Sequence, residues 1–271
     1  MKNLPRLDDL IPLDATWRAA ALALADQMTV VTNSHSANDL DGHSARVSAN
    51  SMELGLEVGL AKGDVSAIGV AALLHDVGKI LIDINLLNKD SYFSLEERAA
   101  VNQHAADGAR ILSQIDGLPE AFIDVARYHH ERYDGLGYEC LEGEDIPYSA
   151  RIVQIADIHD ALCRKRVYKP AASEGQSLCQ MTRGAPSPEF GRNMFDPVLL
   201  RAFVAMRMRD PIFESTSSER ASLSAYLISD PNLDVRSEAR IHFQPDGTRM
   251  RDGVAFDPRL GPAQSAEPRP M

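Results

Sequence analysis

The stretch His129–Glu139, HHERYDGLGYE, constrains this chain more than any other. Adjacent histidines followed by an acid and a glycine-rich turn are poor material for a core, because a buried imidazole pair needs partners for its four ring nitrogens. Metal coordination supplies such partners, and histidine is the commonest metal ligand. Neighbouring residues on a helix diverge by roughly 100°, so both histidines reach one ion only where the helix frays or faces a cluster. The fold must therefore bring further ligands to the place where a helix meets His129–His130.

Two other stretches offer them. Leu73–Ile80 (LLHDVGKI) sets His75 and Asp76 at the end of an apolar helix, with Lys79 one turn on; Asp157–Ala161 (DIHDA) adds carboxylates after an apolar run. Six of the eight histidines fall between His43 and His159. Taken alone, His75–Asp76 reads equally as a capped helix end, and His104 as an ordinary satisfied histidine. Asp157 and Asp160 stand three apart on an otherwise apolar helix, so at least one points inward and requires a positive partner. His159 is offset from both and reads as packing or support for a ligand. His35 and His242 have no motif around them. A mixed nitrogen and oxygen set of this kind suits Fe, Mn or Zn better than Mg or Ca. Two ions about 3.5–4 Å apart can hold both the attacking and the leaving oxygen of a phosphoryl transfer.

Composition narrows the partners. The formal net charge of −11 argues against a nucleic acid polymer or an anionic membrane, though a phosphate ester can bind where metal ions concentrate positive charge. Three cysteines, Cys140, Cys163 and Cys179, form no CxxC pair and suit no closed disulfide framework. No apolar run approaches the ~18 residues of a membrane span, and the acidic, proline-containing start is unlike a signal peptide. These features point to the cytoplasm.

The periodicity is helical almost throughout. Helices are expected over Thr16–Val31, from His43 to a stop at Gly63, from a cap at Asp64 into LLHDVGKI, and from the capping box Ser94-Leu-Glu-Glu97 through His104 to Leu112. Another should run from Pro119 to His129–His130. After the glycine-rich loop Asp134–Pro147 a long helix should span Tyr148–Cys163. Beyond the loop Arg183–Asn193, Phe195–Met206 reads as a closing core helix. Past Asp210 the chain turns polar, with a hairpin signal around Pro245-Asp246-Gly247 and a Pro-rich end, Gly261–Met271. The expected organisation is a helical lead over 1–36, an all-α helical bundle over 37–210, and an irregular tail over 211–271 without readable chemistry.

Taken together, LLHDVGKI, HHERYDGLGY and ARIVQIADIHDAL (Ala150–Leu162) resemble the HD-GYP subgroup of the HD-domain metal-dependent phosphohydrolases, mostly bacterial signalling enzymes that hydrolyse cyclic di-GMP. The resemblance runs from about His43 to Met206, where FDPVLLRAF matches the closing segment. It implies that His43, His75, Asp76, His104, His129, His130 and Asp157 ligate two divalent ions, iron or manganese, with Asp76 as the bridge. Asp39 stands where some members place a glutamate for a third ion; being one methylene shorter, it reads also as a solvated loop acid. Lys79 matches a phosphate-contacting lysine, so Asp76 and Lys79 are the implied catalytic residues. Arg166 and Lys169, in RVYK, match the basic pair that grips the dinucleotide phosphates. Gly137 and Tyr138 match the loop that gives the subgroup part of its name, and Asp160 supports a ligand.

The implied reaction is metal-assisted hydrolysis of cyclic di-GMP, in bacterial second-messenger signalling, to linear pGpG and onward to GMP. Glu139 departs from the pattern, which has proline there. It frees the loop and sets an anion beside an anionic substrate, so a proline is expected to improve affinity or turnover modestly; the loop or the tail is also a place for a signalling partner. The alternatives are a metal-bound but inactive cyclic-dinucleotide sensor or adaptor, and a phosphohydrolase of another nucleotide.

Overall fold

The computed structural model describes residues 16–33, 42–164, 171–182 and 194–229, together with the strand backbones at 241–243, 249–251 and 254–255. The expected loop Arg183–Asn193 and the Pro-rich end lie outside these residues. The described part is all-α apart from those strands. Helix α1 (Arg18–Asn33) follows Trp17, whose ring meets Phe122 edge-on with centroids 5.2 Å apart. Helix α2 (His43–Glu57) starts from Gly42 at φ 78° and stops before Gly59 at φ 84°, earlier than the expected Gly63. Only glycine adopts such backbone angles without steric cost. Helix α3 (Lys62–Leu73) is capped at Ala61, and Asp64 sits inside its first turn, where its charge suits the helix dipole.

A 3₁₀ turn (Val77–Leu81), the short α4 (Ile84–Leu87), α5 (Leu95–Asn102), α6 (His104–Leu112) and α7 (Glu120–Tyr128) follow. The Ser94–Glu97 capping box forms as expected. The single helix expected from it to Leu112 is instead two, broken at Gln103. Just past the break, the start of α6 faces Gly78 on the 3₁₀ turn. A Cβ there would collide with the backbone oxygen of His104 and lie 2.6 Å from the Gly108 nitrogen, so two backbones meet where only glycine fits.

Helix α8 (Tyr148–Cys163) is buried along most of its length, which explains why its apolar residues run all round rather than on one face. Around it lie Leu54, Ile68, Leu74, Phe122, Leu199 and Phe203, all fully buried, from α2, α3, α7 and α10 (Pro197–Arg209). Between them runs α9 (Glu174–Thr182). The hairpin signal corresponds to antiparallel β1 (Ile241–Phe243) and β2 (Arg249–Arg251), extended by β3 (Val254–Ala255).

The polar stretch after Asp210 holds a helix that periodicity did not reveal, α11 (Ser217–Ile228). Its start is a second capping box: Thr216 accepts from the Glu219 amide and the Glu219 carboxylate accepts from the Thr216 amide. Leu223 is fully buried in the common core, and Arg201 of α10 donates to the Leu227 carbonyl. Thr216→Ala should therefore lower the stability of the whole protein by about 1 kcal/mol, read as an earlier urea midpoint at unchanged slope. An unchanged midpoint would mean that α11 is not part of the cooperative unit.

Candidate metal centre

Helix ends deliver the ligands. Helix α3 ends just before His75 and Asp76, α5 just before His104, and α7 just before His129 and His130. The adjacent histidines thus stand off the end of their helix, the condition for both to face one cluster. His75 Nδ1 donates to the Ala72 carbonyl at 2.7 Å and His104 Nδ1 to the Val101 carbonyl at 2.7 Å. His129 Nδ1 shares the Val125 and Ala126 carbonyls at 3.0 and 3.1 Å. Each bond fixes a tautomer and turns the Nε2 lone pair inward.

The inward atoms form two groups, Asp76 with His104, His129 and His130, and His43 with His75 and Asp157; within each group the possible ligand atoms lie within 4.8 Å of one another. In the first, His104 Nε2 is 3.4 Å from His129 Nε2 and 3.2 Å from His130 Nε2. Burial, reinforced by the neighbouring histidines, holds the His129 pKa well below its usual value, and burial takes His130 down to about 4. Imidazole nitrogens that face each other this closely suit a cation between them. His75 Nε2 and Asp76 Oδ1 are also buried without a well-formed hydrogen bond in the protein, which leaves both atoms available to a metal. The donor set fits a metal centre.

Asp76 lies between the groups, with Oδ1 3.2 Å from His104 Nε2 and Oδ2 3.2 Å from His75 Nε2. Burial opposes its ionisation, but His75 and the Lys79 ammonium, which pairs with Oδ2, hold its pKa well below the usual range. His43 is the first residue of α2; its Nε2 is 3.2 Å from Asp157 and its Nδ1 2.8 Å from Asp160. Burial works against its protonation, yet these two carboxylates outweigh it and raise its pKa to about 9. The place favours positive charge, whether proton or metal.

Asp160 accepts from His43 Nδ1 and orients its ring. What sequence reasoning missed is the support behind it: Arg46, one turn along α2, clamps Asp160 with Nε at 2.7 Å and Nη2 at 3.1 Å. Its signal was its place in the GHSARV motif, three residues after His43. Asp160→Asn should leave the fold intact and weaken metal binding on the His43 side by roughly 10–100-fold, read by titration of the apo-protein. Unchanged affinity would remove Asp160 from the centre. His159 packs on Phe203, centroids 5.0 Å apart, away from the ligands. Asp39, Arg166 and Lys169 lie outside the described residues.

The glycine-rich loop closes one edge. The Tyr138 ring lies over His130, centroids 4.7 Å apart, and its hydroxyl donates to Asn102 at 2.9 Å. Gly137 has no room for a side chain: a Cβ would stand 2.8 Å from the Arg132 nitrogen and 2.8 Å from Glu131 Cδ. Glu139 does not face the centre as its charge suggested. Its carboxylate accepts from Arg127 Nε at 2.7 Å, and its amide donates inward to the buried Glu131 at 2.6 Å. The expected gain from proline at 139 therefore loses its electrostatic basis, and proline would delete a hydrogen bond.

A family model described as HD domain matches residues 32–194. The chain is 33% identical over 163 residues to a cyclic di-GMP phosphodiesterase of Pseudomonas aeruginosa, covering 60% of this chain and 38% of that protein. It is 38% identical over 136 residues to a 3′3′-cGAMP-specific phosphodiesterase of Vibrio cholerae, covering 49% and 26% respectively. The chain thus spans well under half the length of these curated relatives. Among solved structures, the HDG"Y"P protein Bd1817 of Bdellovibrio bacteriovorus shares the fold with TM-score 0.52 at 18% identity, over 74% of this chain and 64% of that one. Among the described residues no helix is long and apolar enough to cross a membrane. With its histidines and aspartates gathered at helix ends and a family match over most of its helical body, the chain belongs to the HD-domain family.

Proposed function

We propose that this protein is an HD-GYP-type, metal-dependent phosphodiesterase that hydrolyses cyclic di-GMP to linear pGpG and then GMP in bacterial second-messenger signalling. The observation that carries the reading is Asp76, a buried carboxylate with one oxygen toward each of two ligand groups. Two divalent ions, iron or manganese, suit this mixed donor set. When bound, they lower the pKa of water and offset charge building on the phosphate.

The chain's own residues then do the following. His43, His75 and Asp157 would hold one ion and His104, His129 and His130 the other, with Asp76 available to both groups. Lys79 is partly exposed at 31% and paired only at one side of Asp76, so its ammonium can turn to a non-bridging phosphate oxygen. Gly137 lets the loop lie close, Tyr138 walls the site, and Arg166 and Lys169 receive the second phosphate. Two of the relatives' names divide the substrate class, one acting on cyclic di-GMP and one on 3′3′-cGAMP.

The test is hydrolysis of both dinucleotides, and of unrelated nucleoside phosphates, by protein purified without air and loaded with iron or manganese. Cyclic di-GMP should be cut to pGpG at the greatest kcat/KM. Metal-loaded protein that binds a cyclic dinucleotide and cuts none would replace this reading with the sensor.

A further inference from the structure

The centre has a buried acid that no ligand role explains. Glu131 directly follows the histidine pair, is only 1% exposed, and lies in neither ligand group. Both of its carboxylate oxygens are used on the loop instead. Oε1 accepts from the Glu139 amide at 2.6 Å and Oε2 from the Leu141 amide at 2.8 Å. Its own carbonyl accepts from Gln154 of α8, which ties the residue to the central helix. Two amides one residue apart, gripped by one carboxylate, fix the path of the backbone on both sides of Cys140, which sits at φ 59°. Gly137, pressed against Glu131 itself, completes the contact. The Arg127–Glu139 pair adds an exposed hold, at 47% and 32%, and the Tyr138 hydroxyl on Asn102 fixes the tip of the ring and not the backbone.

We propose that Glu131 is a positioning residue: it draws the Gly137–Leu141 backbone down onto the end of α7, so that the Tyr138 ring stands over His130 as a fixed wall of the substrate site. It acts through the loop and touches neither substrate nor the reacting atoms. The Glu139 amide is half of its grip, which gives position 139 a role in the backbone and not in its side chain. The inference rests on the phosphodiesterase reading for its substrate but not for its geometry.

Three full-length, manganese-loaded variants separate the causes. Glu139→Pro removes one donor and leaves Glu131 in place. Glu131→Gln keeps the shape but turns an amide nitrogen toward one of the donors. Glu139→Gln keeps the backbone donor and removes only the carboxylate charge that pairs with Arg127. Amide exchange across residues 136–142, metal content, and KM and kcat for cyclic di-GMP are measured on each. A buried acceptor that loses its donor is costly, so exchange at Leu141 and KM should each rise roughly tenfold in Glu139→Pro and Glu131→Gln. Metal content should hold and kcat should stay within about twofold, while Glu139→Gln should match the wild type in every measure.

Unchanged exchange in both donor-loss variants would overturn the grip, and faster exchange at unchanged KM would overturn the positioning. Equal effects of Glu139→Pro and Glu139→Gln would also overturn it, because charge would then be the cause. A wild type that cuts no cyclic dinucleotide while the exchange contrast holds would reject the substrate and leave the grip standing.

Discussion

Asp76→Ala should abolish turnover and strip the protein of most of its metal. Among the described residues Asp76 turns one oxygen toward each ligand group: Oδ1 faces His104 and His129, and Oδ2 faces His75 and Lys79. Removing it leaves the first group with three imidazoles and no anion to offset a dication. The loss in kcat/KM should be on the order of 10²–10³-fold or more, since a preorganised charge at the reacting phosphate is lost. A buried charge network is also broken, so circular dichroism must accompany the assay, and Asp76→Asn, which keeps the volume, serves as the second variant. Arg166→Ala provides the contrast: substrate affinity should fall while metal content stays. Equal metal loss in Asp76→Ala and Arg166→Ala would show that the two roles are wrongly divided, and full metal content in Asp76→Ala would remove the bridge.

The second large effect is expected at a contact made by backbone alone. Gly78→Ala adds one methyl group where the 3₁₀ turn and the start of α6 touch backbone to backbone, against the His104 carbonyl and the Gly108 amide. Neither neighbour can swing aside as a flexible side chain would. The elements must separate, at about 3 kcal/mol or somewhat more, or roughly 6–12 °C in Tm for a domain of this size. The same separation draws His104 away from Asp76, so metal affinity should fall together with stability. Gly63→Ala is the control: it lies in α3 with open space around its Cβ, so the change should be neutral or stabilising by about 0.5–1 kcal/mol. Similar thermal shifts for the two substitutions would refute the close-approach account.

Much of this architecture was legible before any coordinates. The apolar run of α8, the capping box at Ser94 and the proline start at Pro119 each act within a few residues, and local signals of that kind survive folding. The candidate ligands stood out as spaced motifs, because metal chemistry limits which residue types can serve. What escaped notice depends on contacts between distant segments. The need for glycine at 78 comes from His104 and Gly108 on a facing helix, and nothing near Gly78 in the sequence announces it. Arg46 serves through Asp160, more than a hundred positions along the chain. The inward turn of the Glu139 amide is set by Glu131, so reading position 139 from its charge pointed to the wrong group. Helix α11 is a different kind of miss: Thr216-Ser-Ser-Glu219 carries the same capping signature as Ser94–Glu97, but its polar face obscured it.

The way the imidazoles are oriented bears on how such a site can decay. His75, His104 and His129 are held by carbonyls at the ends of α3, α5 and α7, and no side-chain substitution can delete a carbonyl. His43 alone among these four hangs from a replaceable carboxylate, Asp160. Genetic drift in a lineage relieved of selection for catalysis could therefore erode the orientation of His43 by a single base change at codon 160, while the other three would keep their aim as long as the helices formed. A survey of naturally degenerate copies should find the Asp160–Arg46 pair broken in sequences whose histidines are still all present.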